Sequence, residues 1–150
     1  MSALFTIGYE QATATSVLEE LRRAGVGLVV DTRAVAASRR PGFSKRQLAA
    51  GLDDNGIGYL HLRALGTPKE GRLAARAGHF DDLFRIYEAH LATPEARAEL
   101  AELVGIVGSG RRVCLLCYER DVAHCHRRRI AEFVCEQVGV KVAHLAAPLF

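Results

Sequence analysis

Cys117-Tyr118-Glu119-Arg120 and Cys125-His126-Arg127 bring two thiols, an imidazole, a carboxylate and two guanidinium groups into one short stretch. The apolar run Val113-Cys114-Leu115-Leu116 precedes them, and a helical pattern through Ile130, Phe133 and Val134 follows. Such a strand–loop–helix turn lends itself to three chemistries. The first is metal binding: Cys117, Cys125 and His126, joined by Asp31, Glu119 or His124, would complete a tetrahedral zinc set. One Cys-x7-Cys-His falls short of a finger or ribbon spacing, so no residue is assigned as a metal ligand and zinc stays an option beside an expectation of no cofactor. Cys114 and Cys117 cannot share an ion, because side chains three apart on a strand point to opposite faces. Cys135 lies ten residues from Cys125, roughly 15 Å along a helix.

The second chemistry is nucleophilic. A cysteine at a helix N-terminus beside His and Arg has its thiolate stabilised by the helix dipole and cationic neighbours, which describes Cys125. Cys117, at a strand end, resembles in position the nucleophile of rhodanese-like sulfurtransferases. The Cys-x5-Arg loop of phosphatases is absent, with Ala123 and Ala131 where its arginine would stand. Cys114 and Cys135 read as small core residues. The third chemistry is anion binding with acid–base groups. The helix opening at Cys125-His126-Arg127 offers backbone N–H groups and a positive dipole end. Arg33, Arg39, Arg40 and Arg127 add charge-assisted bonds to a phosphate. Glu119 and Asp31 would handle protons, and His126 is expected to titrate near neutrality. The opposing structural expectation is that Asp31–Arg33 and Glu119–Arg127 satisfy one another as ion pairs.

The elements that must position these residues alternate. Leu4–Ile7 is a strand ending at Gly8; Ser16 and Glu19 form a capping box for a helix closed by Gly25. Leu28–Val30 is an apolar strand of the kind covered on both faces. Ser44 and Gln47 form a second capping box, for a helix stopping at Asn55-Gly56. Tyr59–Leu62 is the third strand. Phe80, Leu83, Phe84, Tyr87 and Leu91 repeat at helical spacing, and Thr93-Pro94 opens another helix with Leu100, Leu103, Val104 and Val107 inward. A strand over 112–117, a helix near 126–138 and a strand at 141–145 follow. The segment from Gly66 to Arg72, with glycines at both ends, reads as a loop able to close over a ligand. The pattern predicts one α/β domain over residues 1–150: three layers, a mainly parallel sheet of about five strands, helices on both faces, Rossmann-like. Ligands in such sheets bind at the carboxyl ends of the strands. That edge would carry Gly8-Tyr9-Glu10, Asp31-Thr32-Arg33, His61–Arg63 and Cys117-Tyr118-Glu119.

Composition sets few limits. The chain has 150 residues, is 49% hydrophobic and 25% charged, and carries a net charge of +3. No apolar run approaches the roughly 18 residues of a membrane span, and no signal-peptide layout opens the chain. The expected location is the cytoplasm, where the four cysteines would be reduced. Residues 33–46 hold Arg33, Arg39, Arg40, Lys45 and Arg46 without an acid, a stripe suited to an anionic small molecule or nucleic acid.

The chain also resembles the domain of unknown function 488 family nearly end to end. The resemblance rests on Thr6-Ile7-Gly8, Val30-Asp31-Thr32-Arg33, the run Ser38 to Ser44, Leu65-Gly66, the Tyr87 helix, Leu116–Glu119 and Cys125-His126-Arg127. Tyr9-Glu10 stands where the family usually has His-Ser, Thr67 replaces a second glycine, and Ala36 a frequent proline. The resemblance implies the fold class and no agreed reaction. The reading that takes in most of these residues is an enzyme acting on a phosphate-bearing ligand, a nucleotide or nucleic acid. Glu119, His126, Asp31, Cys125 and Cys117 would be its catalytic groups. Arg33, Arg39, Arg40, Arg127, Gly8 and Tyr9 would bind the ligand. The alternatives are a non-catalytic nucleic-acid-binding module and a cysteine-dependent or zinc-dependent enzyme.

Overall fold

The computed structural model describes residues 3–148. Its strands are β1 (Ala3–Gly8), β2 (Leu28–Asp31), β3 (Gly58–His61), β4 (Arg112–Cys117) and β5 (Val142–Leu145). They form one all-parallel sheet in the order β3-β2-β4-β1-β5. The helices are α1 (Ala14–Arg23), α2 (Lys45–Asp54), α3 (Lys69–Arg76), α4 (Phe80–Leu91), α5 (Pro94–Gly108) and α6 (Arg127–Val138). This is the α/β three-layer architecture expected from the alternation of strands and helices. No helix among the described residues is long and apolar enough to cross a membrane.

The period-2 alternation of the strands builds two cores. Val29, Cys114, Leu116, Phe5 and Ile7 face α1 and α2, packing on Val17, Leu21, Leu48 and Leu52. Leu28, Val30, Val113, Leu115 and Leu4 face the other layer, with Tyr87, Leu91, Leu100, Leu103, Ile130 and Val134. The same parity sends Cys117 to the α6 side and Cys114 to the α1–α2 side, so the two thiols are divided by the sheet. The β1-to-β2 connection steps over β4 in one direction, and the β4-to-β5 connection steps over β1 in the other. The strand order therefore reverses between β1 and β4, whose last residues, Gly8 and Cys117, are register partners. Sheets of this kind open a crevice at that point.

Three local expectations change. Helix α1 is capped by Thr13, whose hydroxyl accepts from the Ser16 amide at 3.1 Å. Ser16 thus sits one turn inside the helix instead of opening it. At α2, Ser44 does hold the cap position, but its hydroxyl donates to the Ser38 carbonyl at 3.0 Å and makes no cap bond. Gln47 accepts from the Gly42 amide at 3.1 Å. These side chains tether the 38–44 loop to the helix, a use of Ser and Gln that competes with capping. The third change matters for function: Lys69–Arg76 is a helix, not a loop. Gly71 is buried there, and a Cβ on it would stand 2.5 Å from Thr67 Cγ2 and 3.5 Å from Leu83 Cδ1. That glycine permits close packing of α3 on α4; it does not mark a turn.

Candidate functional site

A cavity of about 800 Å³ opens at the carboxyl edge. Of the residues singled out from sequence, Tyr9, Arg33, Cys117, Glu119 and His126 line it. Asp31, Gly8, Arg39, Arg40, Cys125 and Arg127 lie outside its wall. Each of the outlying groups except Arg39 supports the wall, and its bonds say how.

Asp31 is fully buried and its carboxylate is saturated. Oδ1 accepts from the Arg33 amide at 3.1 Å and from Arg33 Nε at 2.9 Å, while Oδ2 accepts from Arg33 Nη2 at 2.7 Å and from the Tyr59 hydroxyl at 2.6 Å. Arg33 Nη1 donates to the Tyr9 hydroxyl at 3.1 Å and to the Phe43 carbonyl at 2.7 Å. The ring of Tyr9 in turn stacks on Phe43, with centroids 4.2 Å apart. Burial pushes the Tyr59 hydroxyl above its ordinary range, helped by the Asp31 carboxylate it donates to. The pair therefore forms the structural network that was the alternative to catalysis, binding β2, β3 and the 38–44 loop together. Asp31→Ala would leave the Arg33 charge buried without a counterion and is expected to cost about 3–5 kcal/mol of stability. Urea unfolding reads this directly, and a loss under about 1 kcal/mol would mean the network is dispensable.

Arg40 is similarly drawn inward. Its Nη1 donates to the Tyr9 carbonyl at 2.6 Å, its Nη2 to the Ala12 carbonyl. Of the basic stripe at 33–46, only Arg39, Lys45 and Arg46 are exposed.

Arg127 is the largest fully buried side chain. Its Nη1 donates to the Glu119 carbonyl and to Cys117 Sγ, the latter at 2.9 Å, and Nη2 donates to the Arg120 carbonyl at 3.2 Å. The expected Glu119–Arg127 ion pair is thus a contact with the Glu119 backbone, and the side-chain carboxyl forms no ion pair among the described residues. Burial lowers the guanidinium to about 10. Gly8 makes the same loop possible from the other side. A Cβ at Gly8 would lie 1.7 Å from the Glu119 carbonyl oxygen, so the loop crosses β1 at a distance only glycine allows.

His126 caps α6 and is buried. Its Nε2 meets the Thr32 carbonyl at 2.9 Å, which assigns the ring proton to Nε2 and leaves the Nδ1 lone pair toward Cys125 Sγ, 3.8 Å away. Burial, reinforced by the Arg127 charge, holds the imidazole down at about 4. The expectation of titration near neutrality is corrected: the ring is neutral at pH 7, because the site excludes the water that would stabilise imidazolium. The sulfurs of Cys117 and Cys125 are in direct, disulfide-type contact, although reduced thiols were expected. Both cysteines are buried.

Glu119 faces the cavity with its carboxyl raised above the usual carboxylate range, chiefly by burial. Arg72 and Arg76 from α3 line the same cavity. Sequence reasoning placed Arg72 in a loop able to close over the ligand and missed Arg76. Their i,i+4 spacing is the signal that would have found them, hidden because the segment read as a loop. Phe80, stacked on His124 with centroids 3.9 Å apart, and the half-exposed Tyr118 complete an aromatic rim. The lining therefore holds both signs of charge, guanidinium groups from Arg33, Arg72 and Arg76 and carboxyls from Glu10, Glu119 and Asp121.

The chain matches no curated protein and no solved structure. A family model, described as Domain of unknown function DUF488, matches residues 13–134. The chain therefore belongs to the DUF488 family, as the motif at Cys117–Glu119 and Cys125–Arg127 led one to expect.

Proposed function

We propose that the protein is an enzyme acting on a phosphate-bearing small molecule of nucleotide size, held in the cavity at the carboxyl edge. The observation that carries this reading is the lining of one cavity by Glu119, a carboxyl without an ion pair among the described residues, together with Arg72 and Arg76. About 800 Å³ lies within the roughly 300–1,000 Å³ usual for small-molecule sites. The anion would sit against the α3 arginines, which offer planar, charge-assisted donors. An aromatic base would lie against Tyr118 and Phe80. The reacting end would then reach Glu119, placed for proton transfer, with the neutral His126 and Cys117 beside it.

An enclosed ligand is favoured over a surface-bound nucleic acid by the direction of the basic stripe. Arg33 and Arg40 bind backbone carbonyls and an inner carboxylate, which leaves Arg39, Lys45 and Arg46 as the exposed cations of the stripe.

The test begins with a panel of nucleoside phosphates and simple phosphomonoesters, screened by thermal shift and calorimetry. Arg72→Ala combined with Arg76→Ala is expected to weaken the best binder at least ~10-fold, about 1.4 kcal/mol. Glu119→Gln should leave that affinity nearly unchanged while slowing turnover by about 10²–10⁴. Full turnover in Glu119→Gln, or phosphate ligands indifferent to the double arginine change, would remove this function.

A further inference from the structure

We propose that Cys117, Cys125 and His126 form a binding site for one zinc-class divalent ion, with a fourth coordination position open toward the cavity. One ligand atom from each of the three residues lies within 4.8 Å of the others, and all three residues are buried. The donors come from two elements that the fold brings together at the switch point, the end of β4 and the start of α6. Strand parity turns Cys117 toward α6, while Cys125 and His126 arrive on the helix opening itself.

Four features match a coordination site more closely than a packed core. His126 bonds to the Thr32 carbonyl through Nε2, so Nδ1 keeps its lone pair toward the sulfurs. Metal-bound histidines nearly always donate their other ring N–H to such an oxygen, which fixes tautomer and ring orientation. Next, each sulfur accepts from an N–H donor, Cys117 from Arg127 Nη1 at 2.9 Å and Cys125 from the Arg127 amide at 3.5 Å. N–H donors aimed at sulfur stabilise the thiolate over the thiol, and thiolate is the form that binds metal. Third, the 3.8 Å between Cys125 Sγ and His126 Nδ1 is close to the edge of a tetrahedron with bonds of about 2.1–2.3 Å, ~3.6 Å.

The last feature separates an ion from a covalent bridge. The Cα atoms of Cys117 and Cys125 are 7.8 Å apart, beyond the ~4.4–6.8 Å usual for disulfides. A relaxed disulfide would require the backbone to move, whereas two thiolates sharing an ion need their sulfurs to part to about 3.8 Å, a change that side-chain rotation supplies. Two thiolates and one divalent ion are also neutral together, so the centre can be buried with Arg127 as a donor to the sulfur. The donor set, two sulfurs and one imidazole nitrogen, selects zinc over magnesium or calcium. Three protein ligands and one open position is the arrangement of catalytic zinc sites, which polarise a bound water or ligand oxygen. Cys117 and His126 both reach the cavity wall, so that open position faces the ligand space. The metal site stands independently of the phosphate reading; only its role toward a ligand rests on it.

The experiment uses the full chain, purified reduced and without chelator or affinity metal. We expect about one zinc per chain by plasma mass spectrometry, and cobalt substitution giving thiolate-to-cobalt charge-transfer absorption in the near ultraviolet. Cys117→Ser and Cys125→Ser should each lower zinc affinity at least ~10-fold and weaken that absorption. Should either variant fail to fold, wild-type protein decides alone: bound zinc should shield two thiols from an aromatic disulfide reagent, and chelation should expose them. Reduced wild-type protein that takes up neither zinc nor cobalt, with the thiols of Cys117 and Cys125 equally reactive in its presence, overturns the site. A metal-free chain that still binds nucleotide through Arg72 and Arg76 would remove the ion and keep the phosphate reading.

Discussion

Arg127→Met is expected to lower the free energy of unfolding by about 2–4 kcal/mol and to release the 117–124 loop. The side chain is buried, and it donates to the Glu119 and Arg120 carbonyls and to Cys117 Sγ. Each bond from a charged donor contributes roughly 1.5–3 kcal/mol, and an orphaned buried carbonyl adds its own desolvation cost. The opposing effect is the guanidinium's own burial, which a thioether of similar length relieves. The three acceptors win because they all lie in the 117–120 segment, two of them backbone carbonyls that lose their charged donor together. Arg127→Lys should recover little, since one ammonium on a flexible stem cannot replace a planar fork reaching three acceptors. Hydrogen exchange distinguishes loop release from general loosening. Amides at 118–124 should exchange faster while those of β2, paired on both sides, keep their protection. Stability within about 0.5 kcal/mol of wild type, with unchanged loop exchange, would mean that Arg127 merely fills space.

Gly8→Ala should be the most damaging single methyl in the chain. Its Cβ would stand 1.7 Å from the Glu119 oxygen and 2.4 Å from the Glu119 carbonyl carbon, both backbone atoms that cannot rotate away. Relief requires parting β1 from β4 just where Tyr9 N donates to the Cys117 carbonyl at 3.2 Å and Glu10 N to the Tyr118 carbonyl at 2.8 Å. We expect a loss above about 3 kcal/mol, a large share of the roughly 5–15 kcal/mol that holds a domain together. Cavity function should fail with it, because the carbonyl displaced belongs to Glu119. Gly105→Ala supplies the control. Gly105 lies within α5, exposed, and no atom comes within 4 Å of its added Cβ. The same chemical change there should stabilise by about 0.5–1 kcal/mol through helix propensity alone. Thermal unfolding of the pair reads both signs, and a Gly8→Ala protein as stable as wild type would refute the contact.

Much of the site's address could be read without coordinates. Alternating strand and helix patterns imply a parallel sheet, and a parallel sheet offers its carboxyl edge. Residues at 8–10, 31–33 and 117–119 were therefore bound to meet. The parity argument that separates Cys114 from Cys117 also needs nothing beyond the period of a strand. Less legible was what each polar group does after arrival. Asp31 and Arg33 look in sequence like an acid and an anion binder; in the fold they saturate each other with Tyr59 and Tyr9. His126 looks like a titrating group, yet burial beside Arg127 keeps it neutral. Protonation depends on solvent access, which no local pattern encodes.

The amino-acid sequence by itself determined the order of elements, the sheet edge where the candidate residues gather and the family signature at Cys117–Glu119 and Cys125–Arg127. The first two follow from periodicities of two and 3.6 residues, a property of neighbouring positions; the signature is a resemblance of the residues themselves. Only the tertiary structure decided that Arg72 and Arg76 line one cavity with Glu119, because Gly66, Pro68 and Gly71 imitate a loop. In the fold Pro68 caps α3 and Gly71 lets it lie against α4. Likewise only the fold could bring Cys117, Cys125 and the Nδ1 lone pair of His126 together. Their meeting depends on Arg127 gripping backbone carbonyls and on Thr32 holding a ring proton, contacts between segments far apart in the chain. Close packing of distant segments sets distances to a fraction of an ångström, and chemistry at this edge begins at that scale.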